Sequence, residues 1–362
     1  MNLNKIGQSL WLENVGRESL YSGKFRQYLE DWPISGLIIG SSAYDQALRK
    51  TSIYDDSIRK KLKNGLYGEM LALDLVLEDT CYAADLLRPV FDRTDGVDGW
   101  AVLAISPLLT ADPSDMVASA KALYENIKRP NIMITIPGLP NFLKVIEDAV
   151  FAGIPINVAL LFSREQYMAT AESYLSGIER RIATGLKPTV GFISSISISS
   201  LATGVSPEFP KELIPEIVVA LTRRIYRASR ELHSSQRWER AYNAGARPQR
   251  LVWTTSSYPE SDVLAVLCLK QLTAPLTVAA MTKNTLKALI NHDDPGLPMP
   301  SDGGDCEEVL MRCSDSGINV DNLTTRIQND EAALQVKVWI EVLDAVACKS
   351  AVVAQVMNDS TR

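Results

Sequence analysis

Few residues in this chain could do chemistry, and none stands in a ready-made catalytic motif. Glu13 ends the run SLWLE, Thr135 sits in NIMITIPGL, Asn157 in IPINVAL and Ser194 in VGFISSI. A carboxylate with hydroxyl and amide neighbours can move a proton, which suits isomerisation, dehydration or cyclisation. Nucleophilic chemistry is less well supplied. Ser194 and Ser195 lack an activating base, because the two histidines, His233 and His292, fall in segments not placed to reach them. The cysteines, Cys81, Cys268, Cys306, Cys313 and Cys348, include no CxxC pair, so they read as reduced and structural. Cys306 and Cys313 have helical spacing but no histidine near them in sequence, which argues against a zinc set. The stretch NHDDPGLPMPSDGGDCEE, Asn291 to Glu308, is rich in acids that could hold magnesium for a diphosphate substrate. Its spacing fits no ligand loop, and a solvated helix start and lid is the better reading. No cofactor is expected.

These residues need elements to hold them. Apolar, β-rich runs recur at 9–12, 36–39, 100–105, 131–136, 154–160, 190–196, 250–255 and 275–280. Helix-length amphipathic segments separate them, one starting near Pro113 and Ser114, another behind Ser163 as N-cap. Eight alternating units predict an α/β architecture, a closed (β/α)8 TIM barrel with extra helices, as one domain over 1–362. A long C-terminal helix is expected from Val320 onward. No Gly-rich phosphate loop follows any strand, which disfavours a doubly wound nucleotide-binding fold. In a parallel barrel the strand ends carry the chemistry, and the Pro137-Gly138 stop puts Thr135 at one of them.

Composition narrows the partners. The 362 residues are 46% hydrophobic and 22% charged, with a net charge of −6. There is no basic stripe interleaved with aromatics, so nucleic acid is not expected as a partner. No apolar run approaches the roughly 18 residues that span a bilayer, and no secretory leader pattern opens the sequence. The expectation is a cytoplasmic protein with no membrane partner.

Several stretches together resemble the transaldolases of the bacterial type: GQSLWLENVGRESLYSG, YDDSIRK, LLRPVFDRTDGVDG, RPNIMITIPGLP, GIPINVALLFSREQYMATAESYLSGIERR and ARPQRLVWTTS. The match covers nearly the whole chain. It implies a monomer or homodimer, and Schiff-base transfer of a dihydroxyacetone unit between sugar phosphates from a lysine on the fourth strand. That lysine belongs where Thr135 stands, and a threonine cannot form an imine. Other family positions depart too. The strand-one aspartate falls at Glu13, the strand-two asparagine at Gly40 and the strand-three glutamate at Ala104. The strand-five asparagine is kept as Asn157, while the threonine after it becomes Ala159. The strand-six serine is kept as Ser194, but the phosphate-gripping arginine falls at Ser199 and its aspartate at Leu201. Ser256 and Ser257 stand in place of a glycine and a basic residue beyond strand seven.

The changes point one way. Ile38, Ile39, Gly40, Ala104, Leu139, Ala159 and Leu201 make the expected mouth roomier and more apolar, suited to a neutral or apolar small-molecule ligand. Burial among such residues disfavours the charged form of a carboxylate, which would fit Glu13 for acid or base work. Thr135, Asn157, Ser194, Ser41, Ser42 and Tyr44 are the expected hydrogen-bonding partners of the substrate. Glu13 could instead cap a loop or pair with Arg17. Lys283, after strand eight, is the lysine nearest the mouth in sequence. Two other readings remain: a noncatalytic scaffold with a filled mouth, and an ordinary transaldolase of the pentose phosphate pathway.

Overall fold

The computed structural model describes residues 6–40, 42–104, 106–108, 113–255, 262–290 and 298–359. Eight parallel strands close a barrel in sequence order: β1 Gln8–Glu13, β2 Ile34–Ile38, β3 Trp100–Leu103, β4 Ile132–Pro137, β5 Ile156–Ala159, β6 Phe192–Ser197, β7 Arg250–Thr254 and β8 Thr277–Met281. Each lies within about two residues of its expected position, because a buried parallel strand must be an apolar run and few other segments here are. The ring closes where β1 pairs with β8, Gln8 opposite Thr277 through Leu12 opposite Met281. No described helix is long and apolar enough to cross a membrane.

Alternation along the strands sorts side chains into layers. On β1, Ser9, Trp11 and Glu13 face inward, while Leu10 and Leu12 join the apolar layer between strands and helices. The inner middle layer is filled by Trp11, Trp100, Val102, Met133, Ile193, Val252, Val278 and Ala280. Beneath it, the Arg250 guanidinium donates to Asp98 Oδ1 at 3.0 Å and Ser9 Oγ at 2.6 Å, and the Trp11 indole N–H donates to the same Asp98 oxygen at 3.0 Å. The barrel is therefore a blind cup, sealed below and open at the strand C-termini.

Two indoles fit inside because their neighbours lack side chains. A Cβ at Gly36 would lie 2.4 Å from the Trp11 ring, and one at Gly191 2.7 Å from Trp100. Gly36→Ala is expected to destabilise the protein by about 1–3 kcal/mol through overpacking, read as a lower urea midpoint.

Several helix ends follow sequence rules. Ser163 Oγ accepts from Gln166 N at 3.2 Å and the Gln166 side chain reaches back, a full capping box on the helix Arg164–Ala183. At the end of the helix Ile214–His233, the His233 ring packs edge-on against Trp238 with its Nε2 buried and without a partner. Burial, with help from Arg230, pushes its pKa down to about 4. An unfolded histidine titrates near 6.5, so the stabilisation is full above that pH and is lost as pH falls toward 4. Acid titration of the unfolding free energy should show a loss of roughly 3 kcal/mol across that window, absent in His233→Phe.

The C-terminal helix Val320–Asp359 runs 40 residues. It packs on the helices Ser42–Lys50, Asp55–Lys63 and Gly68–Arg93 and crosses the open end of the cup. Gln328 Nε2 donates to Gly138 O at 3.1 Å and Leu160 O at 2.7 Å, tying the helix to the chain just past β4 and β5. Further along, the Trp339 indole N–H donates to Glu69 Oε1 at 3.2 Å, an oxygen that Ser106 Oγ also approaches.

Candidate active site

The mouth of the cup holds a cavity of about 470 Å³. Its wall comes from consecutive strand ends: Glu13 and Asn14 after β1, Ile38, Ile39 and Gly40 at β2, Val102 and Ala104 at β3, Thr135 on β4, Asn157, Ala159 and Leu160 at β5, Ser195 and Ser197 on β6, and Thr254 on β7. Pro107 and Phe162 add two loop contacts. Glu331, Leu334, Gln335 and Val338 of the C-terminal helix form the roof, one face at spacings of three and four. A larger hollow of about 710 Å³ lies at the opposite, strand-start end, but its Arg250 and Asp98 are spent on each other. In parallel barrels chemistry sits at the strand C-termini, which selects the mouth.

The expected site residues divide. Glu13, Thr135, Asn157, Ala104, Ile39 and Ala159 converge on the cavity. Ser194 does not. Ile193, Ser195 and Ser197 take the inward phase of β6, so Ser194 faces the helical layer, fully buried, with its Oγ lacking a hydrogen-bond partner. Ser195 stands in its place. Leu139 lies past the end of β4, where Gly138 N–H bonds to Ala159 O at 2.7 Å, and it packs on the core instead of the cavity. Tyr44 is buried away from the mouth, its ring 6.0 Å from that of Tyr54, and burial with nearby Asp79 holds its phenol protonated well above the usual range. Ser41 lies outside the described residues, as do Ser256 and Ser257, and the Ser42 side chain is likewise not described. Ser199 and Leu201 are fully buried on the helix Ile198–Val205, outside the lining.

Polar order within the cavity is specific. Ser195 Oγ donates to Asn157 Oδ1 at 2.7 Å, and Asn157 Nδ2 donates to Thr135 Oγ1 at 3.2 Å. Thr135 Oγ1 thus accepts from Asn157 and keeps its own hydroxyl proton as a donor. Glu13 is 4% exposed and its Oε2 accepts the backbone N–H of Thr255 at 3.0 Å. Arg17 is engaged elsewhere, with Asp79 at 2.6 Å, Glu78 at 3.1 Å and Ser57 at 2.7 Å.

Among the described lining residues the charged groups are Glu13 and Glu331, and none is basic. Lys283 stays out, its ammonium 4.8 Å from the Tyr28 ring centre. The described part of the acidic stretch does not cover the mouth either. Asp305 pairs with Arg223 at 3.0 Å and Glu307 with Arg224 at 3.4 Å, against the helix Ile214–His233. Among the described residues no group of acids, cysteines and histidines could hold a metal ion.

Asn14, Ser197, Thr254 and the roof are not singled out by the sequence, and Ser195 is weighed there only as a nucleophile. The face Glu331, Leu334, Gln335, Val338 was a readable signal, since it repeats at helical spacing. Its position over the mouth was not readable.

Comparison with known proteins adds to this geometry. The family model for transaldolase/fructose-6-phosphate aldolase matches residues 10–346. A transaldolase of Thermobifida fusca is 31% identical over 354 residues, covering 95% of this chain and 96% of the relative. A transaldolase of Acidothermus cellulolyticus is 28% identical over 352 residues, 95% of each chain. The transaldolase 2 of Nostoc punctiforme is 26% identical over 338 residues, 89% of each chain.

Proposed function

Since the chain belongs to the transaldolase/fructose-6-phosphate aldolase family, we propose that its barrel mouth has given up Schiff-base transfer and instead binds, and by acid–base chemistry transforms, a neutral or apolar small molecule. One observation carries this reading: the described lining presents two carboxylates and no lysine or arginine. An imine needs an amine, and a sugar phosphate held in a half-closed site needs a cation. Thr135, where the resemblance places the lysine, offers only a hydroxyl. The cavity volume falls within the usual 300–1,000 Å³ of small-molecule sites, which also weighs against a filled, purely scaffolding barrel.

Glu13 is the acid or base of this proposal. Thr135 orients the substrate as a donor, held by Asn157, with Ser195 behind it in the role expected of Ser194. Ile39, Ala104 and Ala159 shape the apolar wall. Cyclisation, isomerisation or dehydration in a specialised biosynthetic pathway fits such a site. Family membership itself favours a second reading, ordinary transaldolase activity.

Native mass spectrometry after incubation with extract of the source cells, followed by borohydride treatment with fructose 6-phosphate, separates them. The proposal expects a stoichiometric neutral compound that leaves on denaturation, and no mass gain on reduction. A trapped dihydroxyacetone unit overturns it, and retention of another polypeptide with no small molecule favours the scaffold.

A further inference from the structure

The hollow of about 710 Å³ beneath the barrel lies between two helices. The helix Lys24–Asp31 lends it Arg26, Leu29 and Glu30, and the helix Gly68–Arg93 lends it Asp85, Leu86, Pro89, Val90 and Arg93. Both sets recur at spacings of three and four, so each helix turns one face to the hollow. The packed inner layer with Trp11, Trp100 and Met133 separates it from the mouth. Its walls are apolar: Leu29, Trp32, Leu86 and Val90 are half-buried, while Pro89 and Val97 are exposed. Single apolar side chains on a surface need no explanation, but several gathered around one concavity of small-molecule size mark a place for a ligand.

The charges in this hollow do not cancel. Arg250 is taken by Asp98 at 3.0 Å, and both carboxylate oxygens of Asp85 are taken by Arg129, from outside the lining, each at 2.8 Å. That leaves Arg26, Glu30 and Arg93, which make no hydrogen bond or ion pair with any described residue. Two cations stand against one anion. We propose that the hollow is a second ligand site and binds an apolar monocarboxylic acid. Its carbon frame removes the apolar walls from water. Its carboxylate meets guanidinium, the side-chain group whose planar fork matches it best. Glu30 selects against a second negative charge on the ligand. The proposal is independent of the reading of the mouth, where the described lining has two carboxylates and no cation and so disfavours the same acid.

The test uses octanoate as probe and octanamide as its uncharged match, with calorimetry on the full chain. Wild-type protein should bind octanoate with Kd about 0.3 mM, as expected of so small a ligand, and octanamide about tenfold more weakly. Arg26→Gln and Arg93→Gln should each weaken octanoate about threefold to tenfold and leave octanamide unchanged. Both arginines are exposed, so their variants should fold as wild type does, with the urea midpoint as control. No binding of octanoate up to about 10 mM overturns the site. Equal affinity for octanamide overturns the anionic class of ligand. Octanoate binding that both arginine variants leave unchanged lies elsewhere on the protein and overturns the proposal as well. None of these results bears on the mouth, whose reading stands or falls by native mass spectrometry.

Discussion

Arg17→Met is expected to lower the unfolding free energy by about 3–5 kcal/mol. Arg17 is 3% exposed and Asp79 1%, and their contact is 2.6 Å. Glu78 adds a 3.1 Å ion pair, Tyr54 donates its hydroxyl to Asp79 Oδ2 at 2.8 Å, and the guanidinium sits 4.2 Å from the centre of the Tyr54 ring. Removing the cation strands a carboxylate that water cannot reach. The size of the loss comes from that uncompensated charge, not from the worth of the pair itself. Arg17→Met combined with Asp79→Leu should therefore recover most of the stability. Urea denaturation of the three proteins checks this, and a double variant as unstable as the single one would refute it.

Glu13→Gln is expected to reduce turnover of the eventual substrate by about 10²–10⁴-fold with little change in stability. Glutamine keeps the shape and an oxygen to accept the 3.0 Å bond from Thr255 N–H, so the rim of the cup survives. What it loses is the capacity to take up and release a proton. Turnover is measured on the compound found by native mass spectrometry, with the urea midpoint as the control for folding. Full activity in Glu13→Gln would remove Glu13 from the chemistry and shift attention to Thr135, whose hydroxyl is held by Asn157.

The barrel was legible because its physics is local. Each strand is a short apolar run, each crossover an amphipathic segment, and Ser163 and Gln166 announce a helix start by type and spacing. The site was legible in part for the same reason. Glu13 follows an inward Trp11 by two residues, and Thr135 follows an inward Met133. On β6 this reasoning had no purchase. The segment Ser194, Ser195, Ile196, Ser197 carries serine in both phases, so alternation cannot say which face is the core, and it is Ser195, not the expected Ser194, that lines the cavity. Tyr44 misled for another reason: its helix follows β2, but its ring turns toward the buried ion cluster around Asp79. Asn14 was hidden because its placement depends on a backbone angle, and the roof because packing between distant segments sets where a helix lies.

The seam between β1 and β8 has a kinetic consequence. Every other neighbouring pair in the barrel is joined by one crossover, but this pair unites the first strand with the last, and Gln8 Nε2 reaches Thr277 Oγ1 across 269 residues of sequence. Such a junction forms slowly, because chain entropy is lost before the contact rewards it. Until it forms, both seam strands present unpaired edges to solvent, a template for neighbouring chains. Refolding at high concentration should therefore divert to aggregates during ring closure, and a brief dilution step through that window should restore the yield.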